Sequence, residues 1–415
     1  METLFYITEI MIESVRHLKN ISIPINSDKI KHVILTGKNG SGKTSVLDAI
    51  ASFLDNTTAN DSIYNARKSI EDNNQLLKST NYLDNELITS IKNNLEYYND
   101  LLKTNAKGVD IKFNLSLYEI QQTYKNGGFI LAYYKSDRVF YADIPKHVEK
   151  VELKDSYSIN EMPRQNFVKY LLDLKMTEAL SLTSGKKEKA DLIKAWFENF
   201  DEMLQKIFGD DSVHLEFDEE TFLFHISQKG KESFDFNTLS SGYAAILDIV
   251  ADIIIRMEKR KEKSFLFDMP GIVLIDEVDN HLHLELQKRI LQLLTTIFPN
   301  IQFIVSTHSP FILNSLDNIV IYDLEKALLI NNGLTEIPYS GIVEGFFQAD
   351  TLSDSLKQKY ERYKQLVVKP DLSDGEIEEI AKLEMYLDEI PDYLALNITT
   401  EYQKFKLDFL NREDL

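Results

Sequence analysis

One octapeptide restricts this chain more than any other stretch. Gly37-Lys38-Asn39-Gly40-Ser41-Gly42-Lys43-Thr44 fits G-x-x-x-x-G-K-[ST] at every fixed position. Its flanks restrict it further. Residues 32–36, HVILT, form an apolar run of the buried-strand kind, and residues 45–51 begin a helix. A strand, a glycine turn and a helix N-terminus make an anion site, because successive backbone N–H groups point inward and the helix dipole adds positive charge. Glycines at 37, 40 and 42 accept backbone angles that a Cβ forbids. Gly37 to Ser45, including Lys38, Asn39 and Ser41, is therefore the candidate phosphate cradle. Lys43 is placed for the β- and γ-phosphates, and the Thr44 hydroxyl for Mg²⁺.

Composition excludes several classes. The chain has 415 residues, enough for two domains or one large domain with insertions, and 43% are hydrophobic. Net charge is −20, which opposes a broad nucleic-acid-coating surface. There is no cysteine. Disulfides, iron–sulfur clusters and thiolate zinc sites are thereby excluded, and a reducing cytoplasm is the expected home. Glu2 and Glu9 and the lack of an early basic stretch argue against a signal peptide. The most apolar helical run, Tyr243 to Met257, is interrupted by Asp248 and Asp252, so no bilayer span is expected.

Periodicity predicts an α/β architecture. Residues 3–25 alternate as two antiparallel strands leading into the 32–36 strand. Residues 55–106 contain no glycine or proline, and Leu83, Leu87, Ile91, Leu95, Tyr98 and Leu102 recur at helical spacing. Strands are expected at 109–118 and 128–134, with another at 147–153. Residues 164–208 read as helical, with an exposed lysine-rich loop at 181–189, and 212–227 as a hairpin. From 238 helices and strands alternate, the pattern of a parallel sheet. The expected division is an N-terminal lobe over 1–54, a helical insertion over 55–107, and a remainder of the β lobe over 108–160. A helical lid and hairpin follow over 161–237, then a C-terminal lobe over 238–335 and a helical extension over 336–415.

Three further segments carry chemistry. Gly271–Ile275 is an apolar strand ending in Asp276-Glu277. In a Walker B element the first carboxylate holds Mg²⁺ and the second polarises the attacking water. Leu239-Ser240-Ser241-Gly242-Tyr243 opens a long helix. Its serines suit either a phosphate or ordinary N-capping. Ile304-Val305-Ser306-Thr307-His308 ends a second apolar strand in a histidine, at the sheet edge that carries the phosphates.

The order and spacing of these pieces resemble the ABC-type ATPases, in the branch containing SMC, RecF and the overcoming-lysogenization-defect (OLD) ATPases. The resemblance implies an ABC-ATPase-like head with a mixed, largely parallel sheet, an antiparallel β lobe, helical insertions and a helical C-terminus. It further implies ATP hydrolysis with Mg²⁺ between two heads. Ser240, Ser241 and Gly242 fall on the signature motif, which contacts the γ-phosphate of the opposite protomer. Asp279 falls on the D-loop, His308 on the switch histidine, and Arg16 on an early arginine that touches nucleotide. Tyr243 departs from the glutamine of transporters, and no Q-loop glutamine stands out. The insertion is too short for an SMC coiled coil, and no Asp-x-Asp pair of a TOPRIM nuclease follows His308.

Compact ATPases of this kind resemble those of the prokaryotic anti-phage systems Septu, PARIS and the retrons, in which a separate effector, often a nuclease, is the partner. The resemblance thus implies a homodimer or higher homo-oligomer, an effector protein and no membrane. A RecF-like DNA-repair ATPase is the alternative, and the acidic charge opposes direct DNA binding.

Overall fold

The computed structural model describes residues 4–25, 28–59, 61–79, 85–138, 141–143, 145, 147–261, 267–346, 354–389 and 396–412. Two compact units divide near residue 336.

In the first unit, β1 (Ile7–Val15) and β2 (Leu18–Pro24) form a hairpin, and β3 (His32–Thr36) runs into the phosphate loop. Helix α1 (Lys43–Thr58) follows the loop; α2 (Ser62–Ser79) and α3 (Asn85–Ala106) form a helical pair. Next come β4 (Val109–Phe113), α4 (Leu117–Lys125) and β5 (Ile130–Tyr134). A short 3-10 turn at Pro163–Asn166 leads into α5 (Phe167–Thr183), α6 (Lys187–Phe208) and the β6 (His214–Asp218)–β7 (Leu223–Ser227) hairpin. The unit ends with α7 (Ser241–Lys261), β8 (Gly271–Ile275), α8 (Leu284–Ile297), β9 (Ile301–Ser306), α9 (Pro310–Leu313), β10 (Ile319–Asp323) and β11 (Leu328–Asn331).

The six-stranded sheet has the order β11-β10-β3-β9-β8-β5. Every neighbour pair is parallel except β10–β11. All residues of β3, β5, β8, β9 and β10 are buried, as a parallel sheet covered on both faces requires. The second sheet, β2-β1-β4, is antiparallel. Its buried face, with Ile7, Ile10, Ile12 and Ile111, shares a core with α1 residues Val46, Leu47, Ile50 and Phe53 and with β3 residues Val33 and Leu35. Gln302 fastens this lobe to the main sheet. Its amide accepts from the Ile7 N–H (2.7 Å) and donates to the carbonyls of Ile7 (3.0 Å) and Lys31 (2.8 Å).

Three sequence expectations need correction. The strand over 109–118 stops at Phe113, because Ser116 caps α4 in a reciprocal capping box with Glu119. Residues 147–153 form no strand, and the Val151 N–H donates instead to the Asp173 carboxylate (3.2 Å). The lysine-rich 181–189 segment is largely helical: α5 runs to Thr183 and α6 starts at Lys187, with Gly185 in the left-handed region between them.

The second unit holds α10 (Tyr339–Gly341) with a π turn after it, then α11 (Asp354–Val368), α12 (Asp374–Asp388) and α13 (Leu396–Leu410). It has its own core of Tyr360, Tyr363, Leu366, Ile380, Leu387 and Tyr402.

Candidate nucleotide site

Five parallel strands deliver their C-terminal ends to one sheet edge, where ligands bind in open α/β folds. From β3 comes the phosphate loop; from β8, Asp276 and Glu277; from β9, Thr307 and His308; from β10, Asp323 and Glu325; and from β5, the segment ending in Arg138.

The loop is shaped by backbone that side chains disfavour. Gly42 has φ +100°, and a Cβ there would meet Leu18 Cδ1 at 2.9 Å and His17 Cε1 at 3.6 Å. The β1–β2 turn therefore lies against the loop. Arg16, itself at φ 51° and exposed, is carried on that turn. Gly37 has φ +131°, and a Cβ would lie 2.8 Å from Ser41 Oγ. Lys43, 6% exposed, donates from Nζ to the carbonyls of Gly37 (2.9 Å) and Lys38 (3.3 Å). Burial lowers its pKa, and Glu277, Asp276, Asp279 and Asp323 act against that. Lys38 turns outward: its N–H (3.2 Å) and Nζ (2.9 Å) both meet the Glu325 carboxylate. Asn39 and Gly40 are exposed at the loop's tip, and Ser45 is half-buried in the first turn of α1.

Oxygen ligands converge beside the lysine. The Thr44 hydroxyl donates to Asp276 Oδ2 (2.8 Å), and the Ser306 hydroxyl to Asp276 Oδ1 (2.5 Å). Asp276 is 1% exposed. A hydroxyl and a carboxylate at this spacing form a hard-oxygen pair suited to Mg²⁺, which takes few protein ligands and keeps its waters. Ser41 Oγ and His308 Nε2 are both buried without a hydrogen-bond partner, as groups awaiting a ligand would be.

The turn after β8 is held from three sides. Glu277 adopts φ 47°, a left-handed conformation rare outside glycine. Its N–H donates to Ser306 Oγ (2.7 Å). Arg138 donates to the carbonyls of Asp276 (2.8 Å), Glu277 (3.0 Å) and Val278 (3.4 Å). The Thr307 hydroxyl donates to Asp279 Oδ1 (2.5 Å), and Ser309 Oγ to Gln287 Oε1 (2.8 Å). His308 has its pKa lowered by burial and then by Lys43, with Asp279, Glu277 and Asp276 opposing.

The structure thus brings Lys43, Thr44, Asp276, Glu277, Asp279 and His308 together, with Arg16 on the adjoining turn. The serine–glycine segment makes other contacts. Ser240 and Ser241 are exposed at the start of α7. A Cβ on Gly242 would touch the His281 carbonyl (3.2 Å) and Leu286 (3.2 Å), so this helix end rests on the segment after Asp279. Tyr243 stacks on Phe208 at 4.2 Å. Sequence reasoning missed Arg138 and Ser306, whose partners are backbone groups and a carboxylate far away in the chain. It also missed Arg164 and Arg256, which pair with Asp248 and Asp252 of α7. The four-residue spacing of 248, 252 and 256 was the available signal.

A family model described as "AAA domain, putative AbiEii toxin, Type IV TA system" matches residues 60–314. The "Septu protein PtuA" of Bacillus mycoides (strain KBAB4) is 26% identical over 424 residues, covering 96% of this chain and 52% of that protein. The "Retron Ec83 probable ATPase" of Escherichia coli is 35% identical over 147 residues, 34% of this chain and 27% of that protein. The "Retron Vc95 probable ATPase" of Vibrio cholerae serotype O1 biovar El Tor is 42% identical over 95 residues, 22% and 18% of the two chains. The chain spans about half the length of the Septu relative and less of the others. No helix among the described residues is long and apolar enough to cross a membrane. With its phosphate loop, paired carboxylates and strand-end histidine on one sheet edge, and more than half its length matched, the chain belongs to the AAA domain, putative AbiEii toxin, Type IV TA system family and carries that family's ATPase head.

Proposed function

We propose that this chain hydrolyses ATP between two copies of its head and uses the cycle as a conformational switch that controls a separate effector in an anti-phage module. One observation carries the reading: Lys43, the Thr44–Asp276 pair, Glu277 and His308 converge at a single sheet edge. Backbone N–H groups of Gly40, Gly42 and Lys43 would cradle the phosphates, and the Lys43 ammonium would leave the Gly37 and Lys38 carbonyls to neutralise the β- and γ-oxygens. Thr44 and Asp276 would hold Mg²⁺, which when bound offsets charge on the phosphate oxygens. Glu277 accepts a proton from the attacking water, and its backbone is fixed for that task by Ser306 and Arg138. His308, kept neutral by burial beside Lys43, has a buried Nε2 without a hydrogen-bond partner, available to the γ-phosphate. Ser240, Ser241 and Gly242, with Asp279, close the site of the other copy; in their own chain the two serines are exposed and Gly242 rests on the segment after Asp279. The relatives named Septu protein PtuA and retron probable ATPase support the defence setting.

The test is Glu277→Gln with Mg²⁺-ATP. The variant is expected to bind ATP, accumulate a two-head species in light scattering, and release no phosphate. Phosphate release at the wild-type rate would exclude Glu277 as the base; a monomer at saturating ATP would exclude the two-head site.

A further inference from the structure

One oxygen of the Asp276 carboxylate is already taken, and the residue that takes it also holds Glu277. Ser306 ends β9, and the pairing of Ile275 with Val305 sets it beside Asp276 on the neighbouring strand. Ser306 is fully buried. Its hydroxyl carries one proton, which goes to Asp276 Oδ1 (2.5 Å), while the hydroxyl oxygen accepts from the Glu277 N–H (2.7 Å). The Ser306 carbonyl accepts from the Val278 N–H (3.0 Å). One small residue thus binds Asp276, Glu277 and Val278 in succession.

Asp276 has little freedom to turn about this contact. It is 1% exposed, its N–H donates to the Tyr134 carbonyl (2.8 Å), and its own carbonyl accepts from Arg138 (2.8 Å). Its other oxygen, Oδ2, accepts from the Thr44 hydroxyl (2.8 Å). Thr44 follows the phosphate loop directly, so Oδ2 is the oxygen on the phosphate side, whereas Oδ1 belongs to β9. The two oxygens of one carboxylate are therefore unequal. Cations differ in what they ask of such a group. Ca²⁺ takes roughly six to eight oxygen ligands in flexible geometry and often both oxygens of one carboxylate, whereas Mg²⁺ is smaller and demands a near-ideal octahedron.

We propose that Ser306 is a positioning residue that sets the metal specificity of this site: by holding Oδ1 it leaves Asp276 a single oxygen to offer, which suits Mg²⁺ and disfavours Ca²⁺. This rests on the reading of Thr44 and Asp276 as the Mg²⁺ ligands given above. The same hydroxyl fixes the backbone of Glu277, so the metal seat and the carboxylate placed for water keep one spacing. Removing it frees Oδ1 for a second bond to a larger cation and leaves the Glu277 N–H without its acceptor.

Binding of a non-hydrolysable ATP analogue, measured by calorimetry in Mg²⁺, in Ca²⁺ and in EDTA, tests this without turnover. Wild type is expected to bind the analogue more tightly with Mg²⁺ than with Ca²⁺. Ser306→Ala is expected to narrow that ratio about tenfold, the size of one hydrogen bond to a charged group, while affinity in EDTA stays as in wild type. Ser306→Thr keeps the hydroxyl at a strand end that accepts β-branched residues, and should restore most of the ratio. Ser306→Cys, similar in size but a poor donor, should narrow the ratio as alanine does, and it gives the answer if Ser306→Ala does not fold. An unchanged Mg²⁺-to-Ca²⁺ ratio in a cooperatively melting alanine or cysteine variant would overturn the proposal, as would an equal loss with both cations. A wild type whose affinity is the same in Mg²⁺ and in EDTA would overturn the Thr44–Asp276 metal seat and the proposal with it. A wild type that prefers Mg²⁺, loses that preference in Ser306→Ala, and hydrolyses no ATP would support the proposal and defeat only the hydrolysis reading.

Discussion

At the scale of single residues, the most instructive position is one that the fold strains. A left-handed conformation costs an ordinary residue roughly 1–2 kcal/mol, and Glu277 bears that cost at φ 47°. Its N–H and carbonyl are both gripped, by Ser306 and Arg138, so its carboxylate is aimed rather than free. Glycine would relieve the backbone. Glu277→Gly is therefore expected to melt at or above the wild-type temperature, by up to about 1 kcal/mol of stability, while ATP turnover is lost. A clear drop in melting temperature would show that the carboxylate, not the site, holds this turn together. His308 yields a second prediction. Burial and Lys43 push its pKa below the ordinary 6.5, so the ring is neutral at pH 7. The acid limb of kcat is expected below pH 6.5, and His308→Ala to lose about a hundredfold in kcat with ATP binding kept. A rate that rises as pH falls through 6 would mean that the imidazolium is the working form. The residues legible in the sequence were those at fixed spacing within one turn, such as Lys43, Thr44, Asp276 and Glu277. Arg138 was not legible, because its partners are carbonyls, which every residue carries.

Elements tell a similar story. β3, β8 and β9 were readable because a strand buried on both faces is a continuous apolar run. The 147–153 segment alternates like a strand yet pairs with none among the described residues, since alternation reports facing and not the presence of a neighbour. In α7 the pattern was ambiguous: Asp248, Asp252 and Arg256 fall on one face, and only the neighbouring Arg164, Tyr134 and Arg138 show why they are buried. Burial, with Asp252 adding repulsion, pushes Asp248 up to about 6 despite Arg164 and Arg138. A carboxyl whose folded pKa exceeds its unfolded value of 3.8 holds its proton more tightly when folded. Its contribution therefore favours the fold at low pH and is lost as pH rises from about 4 to 6. Asp248→Asn is expected to flatten the stability profile in that window, as urea melts at pH 4, 5 and 6 would reveal. An unchanged slope would place the titration elsewhere. The α2–α3 pair makes a separate prediction. Ile63 and Ala106, at its two ends, belong to the core of the head, whereas Leu76, Leu87 and Tyr97 are at least half exposed. Replacing residues 68–101 with a short linker should leave ATP binding intact and weaken association with another copy or an effector. Loss of ATP binding would make the pair part of the nucleotide head.

For the whole molecule, the decisive question is whether one chain suffices. Ser241 and Gly242 begin α7, where Gly242 lies against the segment that follows Asp279. Lys43→Ala, which removes the counter-charge of the phosphates, and Ser241→Arg, which fills the signature with a bulky cation, should each be inactive alone. Mixed together they should recover a fraction of the activity, because some pairs hold one intact loop facing one intact signature. Full activity of Ser241→Arg by itself would reduce the serine to a helix cap. The strand order carries a further consequence, for the life history of the chain. Central β3, at residues 32–36, has as its two neighbours β9 and β10, at 301–306 and 319–323. During synthesis it must wait for nearly the whole head before either edge is covered. Contacts of such long range slow folding and leave an apolar strand exposed meanwhile. Chains stalled before residue 300 should therefore aggregate or engage chaperones, while those released past residue 331 should fold. Such a timetable means that no nucleotide site can exist on a ribosome-bound fragment, and that the switch comes into being only when the head is all but complete.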